Sequence, residues 1–268
     1  MSAATPRVAV LAGGRGTRLA PFTSILPKPL MPIGDRSILE IVIHRLAAQG
    51  FTDVTLCVGY LSHLIRAVSE HFEDNGAQLT LVQEHEALGT AAPLRLLGDL
   101  DDTFVVMNGD VLTTLDFRDL VAHHRASGNV VTIATRQRTI KIDYGVLHVS
   151  SPGNGHSASG AARQVVGFEE KPEIVSTVSM GIYVLEPRAL EFIPADGHFD
   201  FPDLVHALLE SGERVGAYMF DGLWFDIGRQ DDYEEAVAAW LDEHADAPHL
   251  NDAPGAAGAR ASMRAGER

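Results

Sequence analysis

Residues 7–30 read RVAVLAGGRGTRLAPFTSILPKPL. Arg7 to Gly13 is an apolar run of the kind that forms a buried strand. Gly13, Gly14 and Gly16 then alternate with Arg15 and Arg18, and Lys28 follows between two prolines. A loop so built has exposed backbone N–H groups, little bulk and fixed positive charge, which is what holding a polyphosphate requires. The stretch therefore reads as a strand that delivers an anion-binding loop.

Working outward, the first half of the chain alternates strand and helix patterns. SILEIVIHRLAAQG carries apolar residues at Ile38, Leu39, Val42, Leu46 and Ala47, opens on the N-cap Ser37 with Glu40 three residues on, and closes on Gly50. DVTLCVG is a second strand, and Leu61, Leu64, Ile65, Val68 and Phe72 mark the next helix at helical spacing. QLTLVQE, a helix beginning near Thr90, and TFVVMNGD continue the rhythm. The pattern predicts an α/β fold, a doubly wound, mostly parallel (Rossmann-like) sheet whose ligands bind beyond the carboxyl ends of its strands. The loops Gly13–Thr23, Gln83–Thr90 and Asn108–Val111 all follow strands at that end, so they can face one cleft.

Beyond residue 128 the pattern changes to the short strands NVVTIATR, YGVLHVS, RQVVGFEE and VSMGIYVLE, with Gly/Ser-rich turns such as SPGNGHSASG. This half is expected to add a small β-rich part and a lid to the same cleft. FPDLVHALLESG reads as a helix, VGAYMF as a strand and DDYEEAVAAWLDEH as a final helix with an acidic first turn. No composition shift marks a boundary. The expectation is one domain over 1–243, its halves being 1–128 and 129–243, and a disordered tail over 244–268, where Ala, Gly, Pro and charge lack periodicity. No hexapeptide repeat follows the domain.

Composition removes several function classes. The chain has 268 residues, 46% of them hydrophobic, enough for a substantial core. Its apolar runs are far shorter than the roughly 20 residues of a membrane span, and MSAATPR has no signal-peptide core, so a soluble cytoplasmic protein without a membrane partner is expected. A net charge of −15 argues against a nucleic-acid partner. The single cysteine, Cys57, lies in an apolar run and reads as a buried strand residue. Of 21 basic residues only Lys28, Lys141 and Lys171 are lysine, and all three stand in stretches that look functional. The pair His123 and His124 lacks metal-ligand spacing and reads as part of a solvated helix face.

Two familiar phosphate motifs fail on the opening loop. An ATPase-type loop needs Gly-Lys-Ser/Thr where Gly16-Thr17-Arg18 stands, and the dinucleotide fingerprint needs a glycine where Leu19 stands. What matches is LAGGxGTRLxPxT followed by PKPLxPIG, and then, in order, LGTA, NGD, DYGV, EEKP, SMGIYV and WFDIG. From about residue 7 to 240 the chain resembles the sugar-1-phosphate nucleotidyltransferases, or sugar nucleotide pyrophosphorylases. In look it is nearest to members similar to mannose-1-phosphate guanylyltransferases that lack a left-handed β-helix domain.

That resemblance implies a nucleotidyltransferase (GT-A-like) fold, with a nucleoside triphosphate and a sugar 1-phosphate as substrates and Mg²⁺ as cofactor. It assigns Leu11, Ala12, Gly13, Gly14, Arg15, Gly16, Thr17, Gln83, Gly89, Thr90 and Gly109 to the nucleotide, with Ala12, Gly13, Gln83, Gly89 and Thr90 near the base. Arg18 is implied to hold the β- and γ-phosphates, Lys28 to bridge the phosphates of both substrates, and Asp110 and Asp226 to bind the metal. On the sugar-phosphate side stand Gly145, Glu170, Lys171, Gly181 and Tyr183, with Lys171 on the phosphate. Taken singly, an Asp at a strand end is a common helix cap and an EEKP turn a common surface loop; inside matching motifs they carry the functional reading.

The enzyme reading competes with a regulatory subunit that senses sugar nucleotides without turnover. Such a protein would show gaps in the loop or lack the metal aspartates, and both are intact here. LGTA favours GTP, and mannose 1-phosphate or a heptose 1-phosphate is the expected acceptor, with UTP, CTP, dTTP or ATP and cyclitol phosphates as alternatives. A homodimer is the expectation for the assembly.

Overall fold

In the computed structural model, which describes residues 5–69, 76–150 and 164–243, the opening run forms strand β1 (Val8–Ala12). A short ribbon of β2 (Pro32–Ile33) and β3 (Arg36–Ser37) leads to helix α1 (Ile38–Ala48), where the Ser37 hydroxyl accepts from Glu40 N–H at 3.2 Å. Then come β4 (Asp53–Val58), α2 (Ser62–Ser69), β5 (Gln78–Gln83), β6 (Phe104–Asn108) and β7 (Val111–Thr113). Helix α3 (Phe117–Ser127) is capped by the Asp116 carboxylate and ends at Gly128, φ 62°. The second half supplies β8 (Val131–Lys141), β9 (Val146–Val149), β10 (Val165–Glu169), β11 (Glu173–Leu185), α4 (Phe201–Glu210), β12 (Val215–Met219), β13 (Trp224–Asp226) and α5 (Gln230–Glu243).

Seven strands form the main sheet in the order β12-β8-β11-β6-β1-β4-β5. Every neighbouring pair is parallel except those made by β11, which runs antiparallel to both β6 and β8. The chain leaves β1 toward β4 and β5, then returns to place β6 on the other side of β1. The switch point of this doubly wound sheet therefore lies between β1 and β6, where a crevice opens beyond their carboxyl ends. The loop after Ala12 and the turn after Asn108 both emerge there. Apolar residues of β1, β4, β6 and α1 fill one core, and a second forms across the sheet around Phe104, Tyr183, Phe201 and Leu204.

Several local expectations are corrected. The segment after Thr90 is a 3-10 turn, Ala92–Leu97, and no α-helix; Pro93 near its start and Gly98 (φ 71°) at its end confine it to six residues. Strands β8 and β11 are long, at 11 and 13 residues, and they pair along most of their length, whereas β9 and β10 form a separate two-stranded ribbon. His124 is buried, because it continues the inward stripe Phe117, Leu120, Val121 at helical spacing; His123 is exposed as expected. The His124 ring lies 2.8 Å from Thr132 Oγ1 and 3.0 Å from Glu186 Oε1. Lys141 makes an exposed ion pair of 3.0 Å with Glu173, its register partner across β8 and β11. Cys57 is buried, and burial pushes its thiol up to about 12. Phe72, the SPGNGHSASG turn and the tail over 244–268 lie outside the described residues. Among the described residues no helix is long and apolar enough to cross a membrane.

Candidate active site

Beyond the carboxyl ends of β1 and β6 lies a cleft of about 410 Å³. Leu11, Ala12, Gly13, Gly14, Gly16, Thr17, Arg18, Lys28, Gly89, Thr90 and Asp110, all singled out from the sequence, line it together. Gly16 takes φ +59° at the head of a 3-10 turn, Thr17–Leu19, that directs Arg18 inward. The Thr23 hydroxyl donates to Gly16 O at 2.8 Å and holds the loop's return. Lys28, with Pro27 extended before it, is buried and ion-paired with Asp110 across the cleft floor.

Asp110 follows β6 through Gly109, whose N–H bonds Leu11 O at 2.8 Å and so ties the turn to β1. Asp226 ends β13, whose pairing with β7 sets it opposite Val111, and Ile227 N–H reaches Asp110 O at 3.3 Å. The two carboxylates feel each other. Burial first, then the negative charge of Asp110, hold the Asp226 carboxyl above its ordinary value, while Lys28 and Arg18 pull it back. Arg18 also lies against Gly228, where a Cβ would stand 3.5 Å from the guanidinium carbon. Thus Arg18, Lys28, Asp110 and Asp226, which sequence reasoning drew from four separate motifs, form one charged cluster.

That cluster suits a divalent cation. Asp110 Oδ1 is buried without a hydrogen-bond partner, while Oδ2 takes Lys28, and an orphaned carboxylate oxygen beside a second carboxylate is a ready oxygen ligand. No group of three or more metal-binding side chains occurs among the described residues.

The loop after β5 departs from the expected arrangement in detail. Gln83 is the last residue of β5 and does not line the cleft; its neighbour Glu84 does, as successive strand residues face opposite sides. Thr90 is committed elsewhere. Its N–H and its hydroxyl donate to Asp200 Oδ1 at 2.9 and 3.0 Å, and the hydroxyl accepts from Phe201 N–H at 2.9 Å. Gly89 (φ +92°) passes so close to this segment that a Cβ would sit 2.7 Å from Phe199 O. The LGT turn is therefore bolted to the start of α4, and His198, from the same segment, enters the cleft lining.

Of the remaining sequence-selected residues, Arg15 stacks over the Tyr60 ring at 5.3 Å and does not line the cleft. Gly145 and Glu170 adjoin one another at the β9–β10 ribbon, a Cβ on Gly145 meeting Phe168 at 2.6 Å and Glu170 Oε2 at 3.3 Å. Lys171 follows in the turn into β11 with φ +46°. Gly181 lets β11 pass Asn108, whose Nδ2 would lie 2.6 Å from a Cβ, and Asn108 lines the cleft. The Tyr183 ring stacks on Phe201 in the second core at 3.8 Å, and its hydroxyl accepts from Ser179. None of these five lines the nucleotide cleft; they lie toward β11 and its ribbon.

Sequence reasoning missed Glu84, Asn108, His198 and Asp200. Strand alternation past Gln83 would have pointed to Glu84, and Asn108 stood unassigned inside NGD. The reach of Asp200 to Thr90 spans 110 positions and has no local signal.

The sequence model of the nucleotidyl transferase family matches residues 7–243. A UTP–glucose-1-phosphate uridylyltransferase of Synechocystis is 32% identical over 87% of this chain and 62% of its own length. A mannose-1-phosphate guanyltransferase of Schizosaccharomyces pombe is 34% identical over 87% of this chain and 63% of its own. The chain thus spans just over three fifths of the length of these relatives. Among solved structures, HddC from Yersinia pseudotuberculosis complexed with GMP-PN superposes with a TM-score of 0.64 at 23% identity, over 88% of this chain and all of that one. UDP-glucose pyrophosphorylase complexed with UDP-glucose gives 0.63 at 18% identity, over 89% and 99%. At these identities the two structures speak for the fold.

Proposed function

Because this chain belongs to the nucleotidyl transferase family, we propose that it joins a nucleoside triphosphate and a sugar 1-phosphate into a nucleotide sugar with release of pyrophosphate. The convergence of the Gly13–Arg18 loop, Lys28, Asp110 and Asp226 at the β1/β6 switch point carries this reading. An oxygen of the sugar phosphate attacks the α-phosphorus in line; the new P–O bond forms as the α–β bridging bond breaks, and its electron pair leaves with pyrophosphate.

The chain's work is to position two anions that repel and to offset the charge between them. Backbone N–H groups around Gly13, Gly14 and Gly16 admit the triphosphate closely, Arg18 holds its outer phosphates, and Lys28 stands at the cleft floor where both substrates' phosphates meet. Asp110 and Asp226 would hold Mg²⁺, which when bound neutralises phosphate charge and polarises the α-phosphoryl group. Glu170 and Lys171, on the ribbon side with Gly145, Gly181 and Tyr183, are proposed to receive the sugar phosphate.

For substrates we favour GTP with mannose 1-phosphate or a heptose 1-phosphate. Relatives named mannose-1-phosphate guanyltransferase, at 29–34% identity, support this. UTP with glucose 1-phosphate is the second reading, favoured by the Synechocystis relative. Pyrophosphate release by the purified protein, measured with five nucleoside triphosphates against a panel of sugar 1-phosphates with Mg²⁺, tests both. One strong pair establishes the reaction and its substrates. Nucleotide binding without turnover on any acceptor would replace it with the sensing reading.

A further inference from the structure

Arg15 sits between Gly14 and Gly16, exposed and outside the cleft, with its guanidinium carbon 5.3 Å from the centre of the Tyr60 ring. Among the described residues no carboxylate pairs with it and no hydrogen bond engages it. Tyr60 is itself fixed at both ends. Its N–H donates to Gly13 O at 3.1 Å and its hydroxyl to Ser24 O at 3.3 Å, so one residue touches the glycine loop where it leaves β1 and where the chain returns. Leu61 beside it takes φ +53°, a left-handed conformation that such a side chain keeps only where its surroundings impose it, and Ser62 N–H closes the turn on Gly59 O at 3.2 Å. On the loop, Gly13 O is held by Tyr60, and Gly16 O by Leu19 N–H at 2.9 Å and the Thr23 hydroxyl at 2.8 Å. Between these anchors no hydrogen bond holds Gly14 or Arg15 among the described residues, and a Cβ on Gly14 would meet nothing within 4 Å. A glycine in open space lets Arg15 turn while both anchors stay in place.

Of the arginine and lysine side chains that line the cleft, Lys28 is paired with Asp110, which leaves Arg18 as the one guanidinium facing in. A triphosphate carries more negative charge than one guanidinium offsets. An exposed cation–π contact is also weaker than a guanidinium–phosphate pair, so a bound triphosphate can draw Arg15 off the ring. Resting on the nucleotidyltransferase reading above, we propose that Arg15 distinguishes a triphosphate from shorter nucleotides: it leaves the Tyr60 ring for the outer phosphates of the bound triphosphate and returns when pyrophosphate departs. Tyr60 is the positioning residue that keeps the guanidinium beside the loop between turnovers. A nucleoside monophosphate, like the nucleotide sugar left after transfer, lacks those outer phosphates and leaves Arg15 where it is. The residue therefore adds affinity to the substrate and none to the product.

The test uses the intact chain with Mg²⁺ and no acceptor, titrated by calorimetry with the α,β-methylene analogues of the five nucleoside triphosphates and with the matching monophosphates. Arg15→Ala should weaken the tightest-binding triphosphate analogue at least about tenfold, the worth of one charge-assisted hydrogen bond, and its monophosphate by less than about twofold. Fluorine NMR of fluorotyrosine-labelled protein reads the ring directly, the Tyr60 signal being assigned by its loss in Tyr60→Phe. The triphosphate analogue should move that signal in the wild-type protein and the monophosphate should not. In Arg15→Ala the free protein should already show the signal near its triphosphate-bound position. If Arg15→Ala keeps the wild-type ratio of triphosphate to monophosphate affinity, or if the triphosphate analogue leaves the Tyr60 signal in place, the role of Arg15 is overturned and the nucleotidyltransferase reading stands. If the wild-type protein binds none of the five analogues, both fall.

Discussion

Lys28 and Asp110 meet across the cleft floor although 82 positions separate them, and the pair leaves Asp110 Oδ1 buried and unpartnered. Each residue restrains the other's side chain, so the lysine stands between the glycine loop and the β6 carboxylate before any substrate arrives. In the proposed reaction a cation held in this way would stabilise the charge that develops during transfer without first having to be gathered in.

Lys28→Ala should therefore lower pyrophosphate release by about a hundredfold or more, the scale seen when a preorganised charge-stabilising donor is lost. Asp110→Asn should do the same. Circular dichroism and thermal melts should show both variants folded; activity near the wild-type level in either would refute the assignment.

The chelation experiment concerns Asp226. EDTA should abolish turnover and Mg²⁺ restore it, and Asp226→Asn should raise the Mg²⁺ concentration for half-maximal rate by at least about tenfold. A rate indifferent to chelator would remove the two aspartates from a metal role.

Asp200 binds the LGT turn from the other half of the chain. Asp200→Ala removes both the Thr90 contacts and the carboxylate of the α4 capping box. It should cost about 1–2 kcal/mol of stability and raise the KM for the nucleotide. Gly89→Ala should cost about 2 kcal/mol, because alanine is strained at φ +92° and its Cβ meets the Phe199 carbonyl. Urea titrations and nucleotide KM values measure both effects.

Acid stability should depend on His124. Burial holds its imidazole below the ordinary value of 6.5, against the opposing pull of Glu186. The unfolded chain then binds the proton more readily than the folded one, so this contribution to stability is full above about pH 6.5 and is lost as pH falls through the lower folded value. The melting temperature should drop between pH 7.5 and 5.5, and His124→Phe should flatten that slope while lowering the melting temperature at pH 7.5. An unchanged slope in the variant would place the acid sensitivity elsewhere.

Local patterns were legible where a residue's neighbours in sequence are also its neighbours in space. Ser37 with Glu40 and the Gly13–Gly16 loop could be read directly, and strand alternation led to the doubly wound sheet with its loops at one end. Less was legible where a distant partner decides the outcome. Thr90 stands in the cleft lining held by Asp200, 110 positions away, and His124 is buried, not solvated, because it extends the stripe of Phe117, Leu120 and Val121 by one turn. Glu84 was overlooked for Gln83 because the end of β5, which decides which of the two turns inward, cannot be placed to one residue from pattern alone. The lengths of β8 and β11 depend on each pairing with the other, a fact that neither strand's own sequence contains.

Strand β11 has a further consequence during synthesis. It is hydrogen-bonded to β6 on one side and β8 on the other, so it closes the sheet's middle although it is made late. While the ribosome is still translating the second half, β1, β4, β5 and β6 can assemble, but β6 presents an open edge built of Phe104, Val105, Val106 and Met107. Such an edge invites pairing with any other nascent strand nearby. The interval before Leu185 emerges is thus the chain's most exposed moment, and a truncated product ending near residue 128 should be found in aggregates or bound to chaperones, not as a free nucleotide-binding fragment.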